Sequence, residues 1–323
     1  MSPNDPLSPT IKSALEKVEE ELAKVVLSGS RSLTESSLST LRAGGKRLRP
    51  ALVLVSGLSG RYSLEALLPA ALAVELIHMA SLIHDDILDE AKTRRGLPTV
   101  NHLKGNRAAT ATGDFLFATA FLLLSKAGNI WAIEIISKAS LALSLGELWE
   151  VETAFSAWQS LNEYLTKVRN KTAALFAASC EVGALLSGSD EKEVKALRAY
   201  GEYLGMAFEI FDDILDFSGK EENLGKSVET DLKEGVITMP LLYALQEEKI
   251  RSDLIQIIEN PPLTEDKIRK AREMLYETDA LEKSKKEAAN YVSRALAAAQ
   301  QVSNQEARKN LTTIGNFVIE RHH

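Results

Sequence analysis

Residues 75–96 read ELIHMASLIHDDILDEAKTRRG, and the predicted fold is built around this segment. Its first half is apolar enough to form a buried helix, and it ends in the carboxylates Asp85, Asp86 and Asp89. Asp85 and Asp89 are four residues apart, so they share one helical face. Clustered carboxylates are rarely buried without a cation. Hard oxygen ligands with no cysteine nearby favour Mg²⁺, so this helix end is a candidate magnesium site.

The same pattern occurs a second time at residues 211–217, which read FDDILDF and again end an apolar run. This copy supplies Asp212, Asp213 and Asp216. A single motif of this kind is more often a solvated helix end, but two copies are hard to explain as surface. Arg94 and Arg95 follow the first copy, and guanidinium groups suit phosphate geometry. The two copies therefore predict divalent metal ions that bridge a diphosphate, which would then be a good leaving group.

Composition limits the class of protein. Hydrophobic residues make up 45% and charged residues 26% of the 323-residue chain, as in soluble globular proteins. The net charge of −7 argues against a general nucleic-acid binder. Cys180 is the only cysteine, which excludes an internal disulfide and fits a reducing compartment. The first ten residues do not resemble a signal peptide, and no uncharged run is long enough to span a membrane, so we expect a cytoplasmic protein.

Apolar residues recur with a period near 3.6 along most of the chain, and no alternating β-type run stands out. We therefore predict an all-α fold: one domain over residues 1–323, with about a dozen helices around a central cavity and flexible residues 1–8. Ser63 is the predicted cap of the helix that carries the first motif. Loops are predicted at residues 28–36, 91–106 and 218–237, an unbroken helix at 160–186, and a helix at 280–321 that breaks near Ser303.

A basic turn is predicted before the helices that lead to the first aspartate motif. Residues 43–50 read AGGKRLRP, and Lys46, Arg47 and Arg49 beside two glycines form a candidate anion site, with a solvated basic turn as the alternative. A diphosphate that leaves creates a carbocation, so the remainder of the pocket should be apolar and dry. The candidate wall residues are Leu72, Ala73, Leu76, Ile77, Ala80, Phe115, Leu116 and Phe208.

From Gly44 to Arg321 the chain resembles the trans-type polyprenyl (isoprenyl) diphosphate synthases, in particular the long-chain branch. The resemblance implies an isoprenoid synthase-like fold and a Mg²⁺-dependent prenyltransferase with two or three ions per active site. Asp85 and Asp212 would be catalytic, with Lys171 and Thr172 near the reacting carbon. The implied metal ligands are Asp85, Asp86, Asp89, Asp212, Asp213 and Asp216. The implied substrate contacts are Lys46, Arg49, His78 and Arg95 for isopentenyl diphosphate, Arg94 for the allylic diphosphate, and Lys171, Thr172, Glu209 and Lys226.

The sequence departs from the family pattern at three positions. Glu209 and Glu150 stand where the family usually has glutamine, and Val236 stands where short-chain members often have lysine. Glu209 would add negative charge near the site unless it is protonated or paired with Lys171. Gly113-Asp114 and Gly146-Glu147 match internal landmarks of the family.

The resemblance also implies partners and a product. We expect isopentenyl diphosphate and an allylic prenyl diphosphate as substrates, a homodimer, no nucleic acid, and transient membrane contact for product release. The residues expected to set chain length are Ala80, Ser81, Ile77, Leu76 and Ala73. Because Ala80, Ser81 and Ala73 are small, we predict a long all-trans product of about six to ten isoprene units, at roughly one unit per helical turn. The alternatives are a short-chain (C15–C20) synthase, a terpene cyclase and a non-catalytic subunit of a heteromeric synthase.

Overall fold

The computed structural model describes residues 7–218 and 230–320, and most of this part of the chain is helical, which confirms the all-α prediction. The first group of helices is α1 (Pro9–Val25), α2 (Arg31–Arg42), α3 (Leu48–Gly57), α4 (Leu64–Leu88), α5 (Val100–Lys104), α6 (Asn106–Lys126) and α7 (Ile130–Glu152). The second group is α8 (Leu161–Val168), a π-helical turn (Arg169–Ala173), α9 (Ala174–Leu186), α10 (Glu191–Ser218) and α11 (Thr230–Glu234). The last group is α12 (Met239–Ala244), α13 (Glu248–Ile258), α14 (Glu265–Tyr276), α15 (Ala280–Ala299) and α16 (Gln305–Glu320).

Several predicted boundaries are confirmed. The Ser63 side chain accepts a hydrogen bond from the Ala66 N–H, so Ser63 caps α4 as expected. The last helical region breaks after Ala299 and resumes at Gln305, on either side of the predicted break. Of the expected flexible residues 1–8, the first six lie outside the described residues. Leu7 is buried, and the Ser8 N–H donates to Asn310 Oδ1 at 2.9 Å.

Three predicted loops contain regular structure. The α2 helix begins at Arg31, inside the loop predicted for residues 28–36, because the Ser30 side chain caps it. Residues 91–106 contain α5 and a short antiparallel pair, β1 (Thr93–Arg94) and β2 (Leu97–Pro98), with Thr93 opposite Pro98. The predicted loop 218–237 contains α11, while residues 219–229 lie outside the description.

The predicted unbroken helix at 160–186 is also corrected. A π-helical turn over Arg169–Ala173 separates α8 from α9 and carries Lys171 and Thr172. Single π-helical turns inside α-helices occur frequently at functional sites.

The chain divides into two compact units. Unit 1 comprises Met1–Ser140, Leu175–Gly201 and Leu296–Ile314; unit 2 comprises Leu141–Ala174, Glu202–Ala295 and Gly315–His323.

In unit 1, α4 is the central helix and packs against α6, α3, α1 and α5. Its apolar residues surround the whole helix, and Ala73, Leu76, Ile77 and Ala80 have no exposed surface. A helix that is apolar on every side is buried by its neighbours. The core of unit 1 therefore fixes the C-terminal end of α4, where the first aspartate motif lies.

In unit 2, α12 packs against α8 and α14, and α13 packs against α14. The Tyr276 hydroxyl donates to the carbonyl oxygen of Phe217 at 2.6 Å, which ties α14 to the end of α10. The second aspartate motif lies on this last part of α10.

Both α4 and α6 are long and apolar enough to cross a membrane by length and composition alone. In α4, 72% of the most apolar stretch is buried, against 33% in α6. The burial of α4 identifies it as a core helix, as the sequence predicted.

Candidate active site

The first aspartate motif is anchored by an ion pair. The Arg94 Nε donates to Asp86 Oδ1 at 2.6 Å, and the Asp86 carboxylate is buried. Asn101 Nδ2 donates to the carbonyl oxygens of Asp86 (2.7 Å) and Ala91 (3.2 Å), so α5 fixes the backbone that follows the motif. Asp85 is partly buried and Asp89 is exposed. The helix end thus presents acidic side chains next to a guanidinium group.

The basic turn of residues 43–50 lies against Arg95, which donates from Nη1 to the Gly44 carbonyl oxygen. Arg47 adopts a left-handed conformation (φ 48°) and forms ion pairs with Glu75, at 2.7 Å, and with Glu19. Because these two carboxylates hold its guanidinium group, Arg47 has a structural role in the turn. Arg49 lies over the ring of Phe176, with its guanidinium carbon 4.7 Å from the ring centroid.

His78 lies one to two turns before the first motif and is partly buried. Burial lowers the pKa of His78 well below its ordinary value, and the positive charges of Arg49, Arg95, Arg94 and Arg47 lower it further. The ring is therefore neutral at physiological pH. These interactions also show that the structure brings His78 near Arg49 and Arg95, the predicted contacts of isopentenyl diphosphate.

His84 precedes the motif directly and faces α6. Its Nε2 lies 3.7 Å from Asp114 Oδ1, and its ring stacks on Phe117 at 6.0 Å between centroids. A Cβ at position 113 would lie 2.2 Å from His84 Nε2, so only glycine leaves room for the imidazole. This contact gives a physical reason for the Gly113-Asp114 landmark.

The second aspartate motif is more deeply buried. The Tyr164 hydroxyl donates to Asp213 Oδ2, and Asp213 is buried on α10. Burial raises the pKa of Asp213 well above its ordinary value, and the nearby Glu209 and Asp231 raise it further. The Asp231 N–H donates to Asp216 Oδ2 at 3.3 Å. The motif is therefore a concentration of acidic groups in a poorly solvated place.

The π-helical turn presents Lys171 and Thr172 to glutamates. Lys171 Nζ lies 3.0 Å from Glu147 Oε2 and also donates to Glu150 Oε1. The Thr172 hydroxyl donates to Glu209 Oε2 at 2.8 Å. Glu209 is thus hydrogen-bonded by Thr172, while Lys171 pairs with the other unusual glutamate. A Cβ at position 146 would lie 2.5 Å from the Lys171 backbone nitrogen, so Gly146 permits this approach.

Sequence reasoning missed three residues of these clusters. Tyr164 and Lys167 line one small cavity in unit 2, and Asn101 holds the backbone of the first motif. The full lining of that cavity is Glu150, Tyr164, Lys167, Val168, Lys171, Glu209, Asp213, Val236 and Thr238. One signal was available: Tyr164, Lys167 and Lys171 have helical i, i+3 and i+7 spacing and share one face.

The other predicted residues are placed as follows. Lys46 is partly buried in the basic turn, and Asp212 is partly buried on α10. Lys226 lies outside the described residues. The predicted chain-length residues are all buried in unit 1, and they are Ala73, Leu76, Ile77, Ala80 and Ser81.

The donor chemistry of the two motifs fits a hard divalent cation. Within residues 7–218 and 230–320, no three histidine, cysteine or acidic side chains are arranged to hold a metal ion unaided. The donors are all carboxylate oxygens, which suit Mg²⁺ or Ca²⁺. Around Asp213 the acidic groups repel one another, as its raised pKa indicates, and a bound cation would relieve that repulsion.

Comparisons with known proteins agree over nearly the whole chain. A family model described as polyprenyl synthetase matches residues 30–275. The chain is 40% identical over 307 residues to heptaprenyl diphosphate synthase component 2 of Geobacillus stearothermophilus, covering 95% of each protein. It is 34% identical to a decaprenyl diphosphate synthase from Rhodobacter capsulatus, with a TM-score of 0.93 over 99% of this chain and 100% of that one.

A further solved structure is a polyprenyl synthase from Caulobacter crescentus CB15, complexed with calcium and isoprenyl diphosphate. It is 33% identical, with a TM-score of 0.90 over 97% of this chain and 96% of that one. These neighbours have the isoprenoid synthase fold, which confirms the predicted architecture.

Proposed function

Because this chain belongs to the polyprenyl synthetase family, we propose that it condenses isopentenyl diphosphate head-to-tail with an allylic prenyl diphosphate to give a long-chain all-trans polyprenyl diphosphate. The observation that carries the proposal is the Asp86–Arg94 pair at the end of α4. It sets a carboxylate suited to a metal ion beside a guanidinium suited to a diphosphate. A metal ion and a guanidinium would both stabilise the negative charge on a departing diphosphate.

Enzymes of this family need a divalent metal. We propose two or three Mg²⁺ ions per active site, held by Asp85, Asp86, Asp89, Asp212, Asp213 and Asp216. When bound, they would neutralise negative charge on the departing diphosphate. The mutual repulsion between Asp213 and the nearby Glu209 and Asp231 supports this role, because bound cations would relieve it.

The chain's own cations would bind and orient the substrates. Arg94 is proposed to bind the allylic diphosphate, with Lys171 and Thr172 near its reacting carbon. The isopentenyl diphosphate contacts would be Lys46, Arg49, His78 and Arg95, with Lys226 and Glu209 as further substrate contacts. The neutral ring of His78 would act as a hydrogen-bonding group, because its lowered pKa keeps it uncharged beside the arginines.

The proposed reaction proceeds by ionisation, condensation and loss of a proton. The allylic C–O bond breaks, and diphosphate leaves with the bonding electrons. The double bond of isopentenyl diphosphate attacks the allylic carbon to form the new C–C bond, and a proton is then lost to the released diphosphate. The contribution of the chain is to orient the two substrates and to hold water away from the cation.

A long product is supported by the small buried residues Ala73, Ala80 and Ser81 on α4 and by the heptaprenyl and decaprenyl names of the relatives. A C15–C20 synthase is the alternative within the family. Terpene cyclisation is less well supported, because the second motif retains Asp212, Asp213 and Asp216.

A second candidate is that the chain acts as one component of a heteromeric synthase. The specific observation is the name of the Geobacillus relative, which is a "component 2". A homodimer is the other assembly that we propose. Apolar side chains along α7 are more than half exposed and would be covered in either assembly: Ile130, Trp131, Leu141, Leu145, Leu148 and Val151.

We further propose that residues 1–323 act as one synthase domain, since the family model spans segments of both units. The cytoplasmic location and the transient membrane contact for product release stay predictions.

One assay tests the proposal. The purified chain is incubated with labelled isopentenyl diphosphate, Mg²⁺ and allylic primers of increasing length, and the products are separated by chain length. We expect Mg²⁺-dependent products of about six to ten units. Absence of transfer with every primer would contradict the function for the chain alone. Activity that appears only when a second component is added would support the heteromeric candidate.

A further inference from the structure

Lys167 is a buried cation to which neither the sequence nor the comparisons assign a role. It lies on α8 with 4% of its surface exposed. Its Nζ is 3.9 Å from Glu150 Oε2 and 3.5 Å from Gln159 Oε1. Lysine is almost never buried unless it is paired, because its ammonium group loses hydration. The buried ammonium group of Lys167 therefore depends on its carboxylate partner for stabilisation.

That partner, Glu150, is shared between two lysines. One carboxylate oxygen accepts from Lys171 Nζ, and the other faces Lys167 Nζ. Lys171 has a second carboxylate partner in Glu147, at 3.0 Å. In this arrangement Lys171 is paired with two glutamates, Glu147 and Glu150.

The charges around the cavity explain why two lysines are present. Glu150, Glu209 and Asp213 line it together with Lys167 and Lys171. If Lys171 moved to a diphosphate, Glu150, whose side chain is only 20% exposed, would lose its closer partner. An unpaired carboxylate there would oppose the movement.

We propose that Lys167 is a positioning residue that keeps Glu150 paired when Lys171 leaves it to bind the allylic diphosphate. This inference rests on the proposed function, because it takes the substrate of Lys171 from it. The distance of 3.9 Å from Lys167 to Glu150 leaves room for the pair to shorten once Lys171 departs. Lys167 would also be the compensation for the glutamate that replaces the usual glutamine at position 150.

The test is a double-mutant cycle of Lys167→Met and Glu150→Gln, with KM measured separately for farnesyl diphosphate and isopentenyl diphosphate. Lys167→Met should raise KM for farnesyl diphosphate about tenfold, the effect of losing one partner of a buried pair, and change KM for isopentenyl diphosphate less than about twofold. Adding Glu150→Gln should return KM for farnesyl diphosphate to within about threefold of wild type, because Lys171 is then no longer retained. Lys167→Arg should stay close to wild type. Lys195→Met removes an exposed lysine from α10 and serves as the charge control.

Several outcomes would overturn the inference. These are an unchanged KM for farnesyl diphosphate in Lys167→Met, equal effects on both substrates, or no rescue in the double mutant. If Lys167→Met does not fold, the test uses KM for farnesyl diphosphate in the Glu150→Gln single variant. The inference requires that Glu150→Gln does not raise this KM, so a raised value would overturn it. A wild-type chain without transferase activity would instead contradict the proposed function, which separates the two failures.

Discussion

The imidazole of His84 occupies the space that a side chain at position 113 would need, since a Cβ there would lie 2.2 Å from His84 Nε2. His84 directly precedes Asp85 in the sequence, so displacement of its ring would shift the first aspartate motif. We expect Gly113→Ala to destabilise the fold by about 1–3 kcal/mol through overpacking. We also expect it to lower kcat/KM about tenfold or more, because active-site geometry tolerates little displacement. Thermal unfolding and steady-state kinetics measure the two effects.

Gly29→Ala is the matched control, because a Cβ at position 29 would meet nothing within 4 Å. A Gly113→Ala enzyme as stable and as active as Gly29→Ala would show that the contact is unimportant.

The aspartate motifs should dominate turnover. Asp85→Ala or Asp212→Ala should lower kcat by orders of magnitude while leaving the helical circular dichroism intact, since each removes a proposed metal ligand. Asp253→Ala, an exposed aspartate on α13, serves as the control. Near-normal Mg²⁺-dependent turnover in Asp85→Ala is incompatible with the proposed metal site.

Variants of the basic residues should affect the KM values of the two substrates differently. Lys46→Ala and Arg49→Ala should raise KM mainly for isopentenyl diphosphate, and Arg94→Ala mainly for the allylic primer. Each loses a charge-assisted contact of about 1.5–3 kcal/mol, or roughly ten- to a hundredfold. KM values with each substrate varied in turn provide the measurement, and the exposed Arg31 on α2 offers a control as Arg31→Ala. Equal effects of all three variants on both substrates would argue against separate binding sites.

Product length should respond to the buried residue Ala80. A tyrosine ring there would close the path of the growing chain near its start, so Ala80→Tyr should shorten the product from about six to ten isoprene units to about three to four, that is, to about C15–C20. Chromatography of the dephosphorylated products measures this, with Ala289→Tyr on the exposed face of α15 as the control. An unchanged long product, or a wild-type product of C15–C20, would refute this role of Ala80.

Stability should depend on pH through His78. Its pKa in the folded protein lies well below the ordinary value of 6.5, so below that pH the unfolded chain binds a proton that the folded chain does not. The free energy of unfolding should therefore fall as the pH drops below about 6.5, towards the lower folded-state pKa. Denaturant unfolding between pH 7.5 and 5 measures the slope, and His78→Gln should flatten it. An identical slope in His78→Gln would assign the pH dependence to other groups.

The helical fold was predictable because apolar residues recur with a clear helical period and because Ser63 supplies a recognisable cap. The first aspartate motif was predictable for a related reason: an apolar helix that ends in carboxylates leaves few alternatives. The π-helical turn was not predictable, since residues 169–173 have the spacing of an ordinary helix. The close approach of the Lys171 backbone to Gly146 is a contact that the local sequence does not encode.

Lys167 and Tyr164 were missed for a different reason. A lysine on an amphipathic helix is assigned to solvent by default, and a tyrosine to the core. Only the three-dimensional structure shows that Lys167 lies next to the carboxylate of Glu150 and that Tyr164 donates a hydrogen bond to Asp213. Their role depends on contacts between distant parts of the sequence, which local patterns do not encode.

The shared glutamate has a consequence for protein engineering by segment exchange. Glu150 is on α7, whereas Lys167 is on α8, so a chimera whose crossover lies between the two helices would inherit one charge without the other. Such a hybrid would bury either a lone lysine or a glutamate that retains Lys171, even though every helix is native to one parent. Recombination between this enzyme and relatives with glutamine at position 150 should therefore keep residues 150–171 as one block.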